Sequence, residues 1–104
     1  MGVRKGLGKD LSREAAKLRV RLEDYLQEVD ELKKRIDQCL EKLEELSRLV
    51  EGGASEDKIR EACINAFEAL SEAMRANAEA LHEGSHLLES YAALMLEVAR
   101  SQKR

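Results

Sequence analysis

At 104 residues and 11.7 kDa the chain holds one domain at most. It is 43% hydrophobic and 38% charged, with no proline, no tryptophan and three aromatic residues, Tyr25, Phe67 and Tyr91. That excludes a β-sandwich or barrel, which needs β-branched and aromatic residues and Gly/Pro turns, and it excludes a disulfide scaffold or a disordered tail. The net charge of −3 conceals a segregation: residues 1–21 carry seven basic and two acidic residues, residues 22–99 eight basic and nineteen acidic, and residues 100–104 three basic.

In chain order, residues 1–10 read as a flexible basic arm, Gly-rich and without an apolar run, which suits a cytoplasmic setting. From Leu11 the apolar residues alternate in gaps of four and three: Leu11, Ala15, Leu18, Leu22, Tyr25, Val29, Leu32, Ile36, Cys39, Leu43, Leu46 and Val50. This is a coiled-coil-like seam and predicts helix one over about 11–50. Asp30/Lys34, Glu31/Arg35 and Glu44/Arg48 are acid-before-base pairs that support it. Residues 51–55, Glu-Gly-Gly-Ala-Ser, read as the turn, with Gly52 as a left-handed cap and Ser55 as the N-cap of the next helix. So short a connection predicts an antiparallel hairpin.

Helix two, about 56–101, carries two stripes. One is large: Cys63, Phe67, Leu70, Met74, Asn77, Leu81, Gly84, Leu88, Tyr91, Met95 and Val98. The other is alanine: Ala62, Ala66, Ala69, Ala73, Ala76 and Ala80. At 100° per residue they point about 110° apart, so helix one covers only one of them. The large stripe is expected to face helix one. The alanines are then a contact site for a second copy, completing a four-helix bundle; if the copies pair antiparallel through this stripe, the two-fold axis passes near Ser71. Neither Cys39 nor Cys63 has metal-ligand spacing, and a hairpin centred on Gly53 sets them about one turn out of register, against a disulfide between them.

His82-Glu83-Gly84-Ser85-His86 matches the HExxH pattern of zinc peptidases. Positions 89 and 92, Glu and Ala, lack the Gly and His of one extended version. The histidines also fall on a solvated face beside several glutamates, where no closed cleft would hold a catalytic zinc. Glu79-x-x-His82 and Glu83-x-x-His86 have the spacing of di-iron bundles, but these residues face outward too. No catalytic, metal or cofactor site is assigned, and the chain is read as a non-enzyme. The expected function is a homo-oligomerising scaffold or adaptor that binds other helices. The alternative is an anionic-surface binder, for nucleic acid or membrane, using a basic pole of Arg4, Lys5, Lys9, Arg13, Lys17, Arg100, Lys103 and Arg104. A basic arm ahead of a long hairpin is similar, in layout alone, to the core of ESCRT-III-type filament proteins.

Overall fold

A computed structural model describes residues 2–102, with side chains over residues 8–100. Two helices, α1 (Gly2–Glu51) and α2 (Glu56–Gln102), form an antiparallel hairpin, and there is no strand among the described residues. The start of α1 differs from the expectation of an arm over residues 1–10: the helix reaches back to Gly2. Asp10, a residue suited to cap a helix there, instead accepts a hydrogen bond from Arg13 Nη2 at 2.9 Å. Nothing else stops propagation, because no proline is present and glycine in a helix costs only about 1 kcal/mol relative to alanine.

The turn closes as a Schellman motif, in which Ala54 N–H donates to Leu49 O at 2.9 Å and Gly53 N–H donates to Val50 O at 3.2 Å. The left-handed residue is Gly53, with φ of 68°, and not Gly52. Gly52 still donates to Arg48 O at 2.9 Å and ends the helical ladder. Ser55 Oγ accepts from Lys58 N–H at 3.3 Å, the expected N-cap. Gly53→Ala should therefore lower stability by about 1 kcal/mol, read as a drop in melting temperature, because a Cβ is strained at that φ.

The chain divides into two compact units, residues 28–80 and residues 1–27 with 81–104. In the first, Ala62, Ala66, Ala73, Ala76 and Ala80 of α2 and Cys39 of α1 are buried, with Ala66 only 2% exposed. Ile59, Ala69, Leu32, Arg35, Leu46 and Leu49 are half-buried along the same seam. The alanine stripe is thus the inside of the hairpin, which corrects its assignment as the contact site for a second copy. The physical reason is volume. The facing side of α1 carries long side chains, and only small residues opposite leave them room while the helix axes stay close. The proposed axis near Ser71 falls with that assignment.

In the second unit, Leu11, Leu18 and Tyr25 of α1 and Leu87, Ser90 and Leu94 of α2 are half-buried, and none of its described residues is fully buried. Polar groups occupy part of the seam. Glu14, at 13% side-chain exposure, pairs with Lys17 at 3.5 Å, and Glu97, at 18%, pairs with Arg100 at 3.0 Å. Glu83 Oε2 is enclosed without a hydrogen-bond partner. The Tyr25 ring lies over Gly84, whose missing Cβ would sit 3.4 Å from Tyr25 Cε1. With less apolar burial here, backbone amides of residues 83–98 should exchange with solvent roughly ten-fold faster than those of residues 62–80 in a native-state hydrogen-exchange experiment.

Candidate docking face and histidine pair

With the alanines turned inward, the large stripe of α2 faces out. Ile64, Phe67, Leu70 and Met74 are exposed in the first unit, and Leu81, Leu88, Tyr91 and Met95 in the second; Phe67 is 65% exposed. This reverses the expected orientation of the stripe. Half of the α1 seam behaves the same way. Leu11, Leu18, Tyr25, Leu32, Cys39 and Leu46 turn toward α2, whereas Leu22, Ile36, Leu43 and Val50, joined by Leu26 and Leu40, are exposed.

In the first unit the exposed side chains of the two helices share one side of the hairpin. Leu32, Ile36, Cys39 and Leu40 of α1 and Leu70, Ala73, Met74 and Asn77 of α2 line a shallow apolar groove of about 280 Å³. Asn77 is its one side chain with a hydrogen-bonding amide, and it is half-buried. The opposite side of the same unit is polar. There Arg35 bridges Glu31 and Glu72, at 3.0 Å to each, and Arg75 and Glu79 extend the surface. Of the three acid-before-base pairs expected along α1, Glu31–Arg35 is the one that forms among the described residues. The unit therefore has a wet face and an apolar one, with the alanine seam between.

His82 and His86 lie on adjacent turns of α2, but the solvated face expected for them holds for His82 alone, since His86 and Glu83 are half-buried. Their Nε2 atoms are 3.1 Å apart and the rings are nearly perpendicular, with centroids 4.6 Å apart. Glu89 Oε2 lies 3.7 Å from His86 Nδ1. One imidazole can donate to the other at that distance. Glu83, which HExxH chemistry would need as a base at the metal, has its Oε2 enclosed, while His82 is exposed. No group of three or more His, Cys, Asp or Glu side chains is arranged to hold a metal ion among the described residues. Cys39 and Cys63 are both free thiols.

Of the basic pole, Arg4, Lys5, Lys103 and Arg104 lie outside the residues whose side chains are described. Lys9, Arg13, Lys17 and Arg100 lie within them. Arg13, Lys17 and Arg100 each pair with a carboxylate on the same helix, Asp10, Glu14 and Glu97 respectively. Among the described residues no helix is long and apolar enough to cross a membrane. No family model, curated protein or solved structure matches the chain.

Both stripes of α2 were legible, but not which of them faces α1. Periodicity is the same for both. The signal that separates them is side-chain volume: Leu32, Leu46 and Leu49 on α1 call for small partners.

Proposed function

We propose that this chain is a non-enzymatic scaffold module that assembles by laying its apolar face against that of a second copy, forming a four-helix core. The observation that carries this reading is the inverted burial. The side chains enclosed among the described residues are alanines and one cysteine, while Ile36, Leu40, Leu70 and Met74 remain exposed along the groove of the first unit, and Phe67 is exposed on the same stripe of α2. Contiguous apolar surface of that kind marks an interaction site, and two helices alone cannot enclose it. Charge favours a second copy as the occupant. Residues 28–80 carry eight basic and fourteen acidic residues, a net of −6, and the rest of the chain carries ten basic and seven acidic, a net of +3. Each copy thus offers both partners of an electrostatic match.

Light scattering behind a sizing column tests the reading. The expected mass is twice 11.7 kDa or a higher multiple. A mass of 11.7 kDa at every accessible concentration overturns it.

A further inference from the structure

The self-docking reading leaves two symmetric arrangements open, and the groove distinguishes them. We propose that the second copy lies in the opposed sense, its turn pointing away from the first copy's turn, with the two-fold axis passing beside Asn77; this rests on self-docking being correct.

The argument starts from what a two-fold axis does to a hairpin. If both turns lie at the same end, α1 of one copy rests on α2 of the other. If the turns lie at opposite ends, α1 meets α1 and α2 meets α2, each pair antiparallel. Asn77 responds differently to the two. Its amide shares the groove with Leu32, Ile36, Cys39, Leu40, Leu70 and Met74, which offer no hydrogen-bonding side chain other than a thiol. With the turns at one end, Asn77 would be covered by the matching stretch of α1 from the second copy, around Leu32 and Ile36, and its amide would be buried unpaired. In the opposed arrangement Asn77 meets Asn77 of the second copy at the axis. Each carboxamide oxygen then accepts from the other's NH₂, and both groups are satisfied. A single polar residue in an apolar seam sets register in this way.

One charge observation agrees. Leu32 lies opposite Asn77 across the groove, so the same axis passes α1 near Leu32 and brings Lys33 close to Asp30 of the second copy. Both side chains are exposed, and among the described residues neither has an ion-pair partner.

The experiment places a nitroxide label at Glu56→Cys, an exposed site at the first turn of α2, in a chain carrying Cys39→Ala and Cys63→Ala. The spin–spin distance is then measured within the assembled protein, and the mass is read on the same sample. An axis at Asn77 lies twenty-one residues along α2 from Glu56, about 32 Å, so the two labels should sit roughly 60–70 Å apart. A distance of about 20–30 Å in a sample of twice the chain mass overturns the opposed arrangement and leaves self-docking standing. A sample that stays at the single-chain mass while the unmodified chain doubles indicts the cysteine replacements, and the unmodified chain then decides. Its dissociation constant should rise roughly five-fold between about 50 mM and about 500 mM NaCl, since salt screens the opposite-charge match. A constant that is flat or falls overturns the opposed arrangement. If the unmodified chain is itself a monomer, self-docking fails and the proposal with it.

Discussion

Ala66→Leu should destabilise the chain by about 2–3 kcal/mol, enough to lower its melting temperature by roughly 10 °C or more. Ala66 is 2% exposed, the most enclosed of the buried residues among those described, and it sits in a seam where α1 contributes the long side chains. Leucine adds three carbons where there is no space, so either the helices separate, exposing the flanking alanines, or neighbouring side chains leave their preferred rotamers. Helix propensity cannot account for the loss, because leucine is nearly as good a helix former as alanine. Ala16→Leu, at an exposed site of α1, is the matched control and should stay within about 0.5 kcal/mol of the parent. Thermal unfolding followed by circular dichroism reads both. Equal melting temperatures for the two variants would mean that the alanines lie on an outer surface, as periodicity alone suggested.

That contrast shows where residue-level reading of the sequence reaches and where it stops. The two helices and their turn follow from local physics. An unbroken three-four period, the absence of proline, a Gly-Gly pair and a capping serine leave little else for the backbone to do. Even the error at the turn is local: either glycine can end a helix, and the choice of Gly53 over Gly52 depends on which one closes the bond from Ala54 to Leu49. The facing of the stripes is a different kind of question. Phe67 and Ala66 are adjacent in sequence, and each belongs to a stripe of the same period. Hydrophobicity favours burying phenylalanine first. Geometry overrides that preference, because two helices alone achieve close contact only through small residues, and the larger ones then require a further surface. The same holds for the HExxH match. The letters place two histidines one turn apart, and the structure does bring their nitrogens within 3.1 Å. The glutamate between them belongs to a different face of the helix, and its Oε2 is enclosed, a consequence of the period that the motif alone does not express.

Replacing both Phe67 and Met74 by glutamine should abolish self-association while leaving the hairpin folded. The two side chains lie two turns apart on the outward stripe of α2 and are 65% and 55% exposed in the single chain, so their removal takes little from the interior. Glutamine keeps the helix propensity near that of methionine and adds no charge, so neither helix formation nor the electrostatic match between copies is disturbed. In the assembled form each copy would lose two large apolar contacts. At about 1.5 kcal/mol per side chain, four side chains amount to roughly 6 kcal/mol per dimer, or about four orders of magnitude in dissociation constant. A dimer held together at micromolar concentration would then be a monomer at any concentration used for light scattering, with a mass of 11.7 kDa and an unaltered far-ultraviolet circular dichroism spectrum at low temperature. Persistence of the doubled mass in this variant would locate the contact elsewhere. The remaining candidates would then be the exposed apolar residues of the second unit or the basic end, and the outward stripe around Phe67 would lose its claim as the docking face. Loss of helical signal together with loss of mass would mean that the hairpin is held folded by its partner. The apolar face would then belong to the fold itself, since two helices closed on alanine alone would be too thin a core to stand without the second pair.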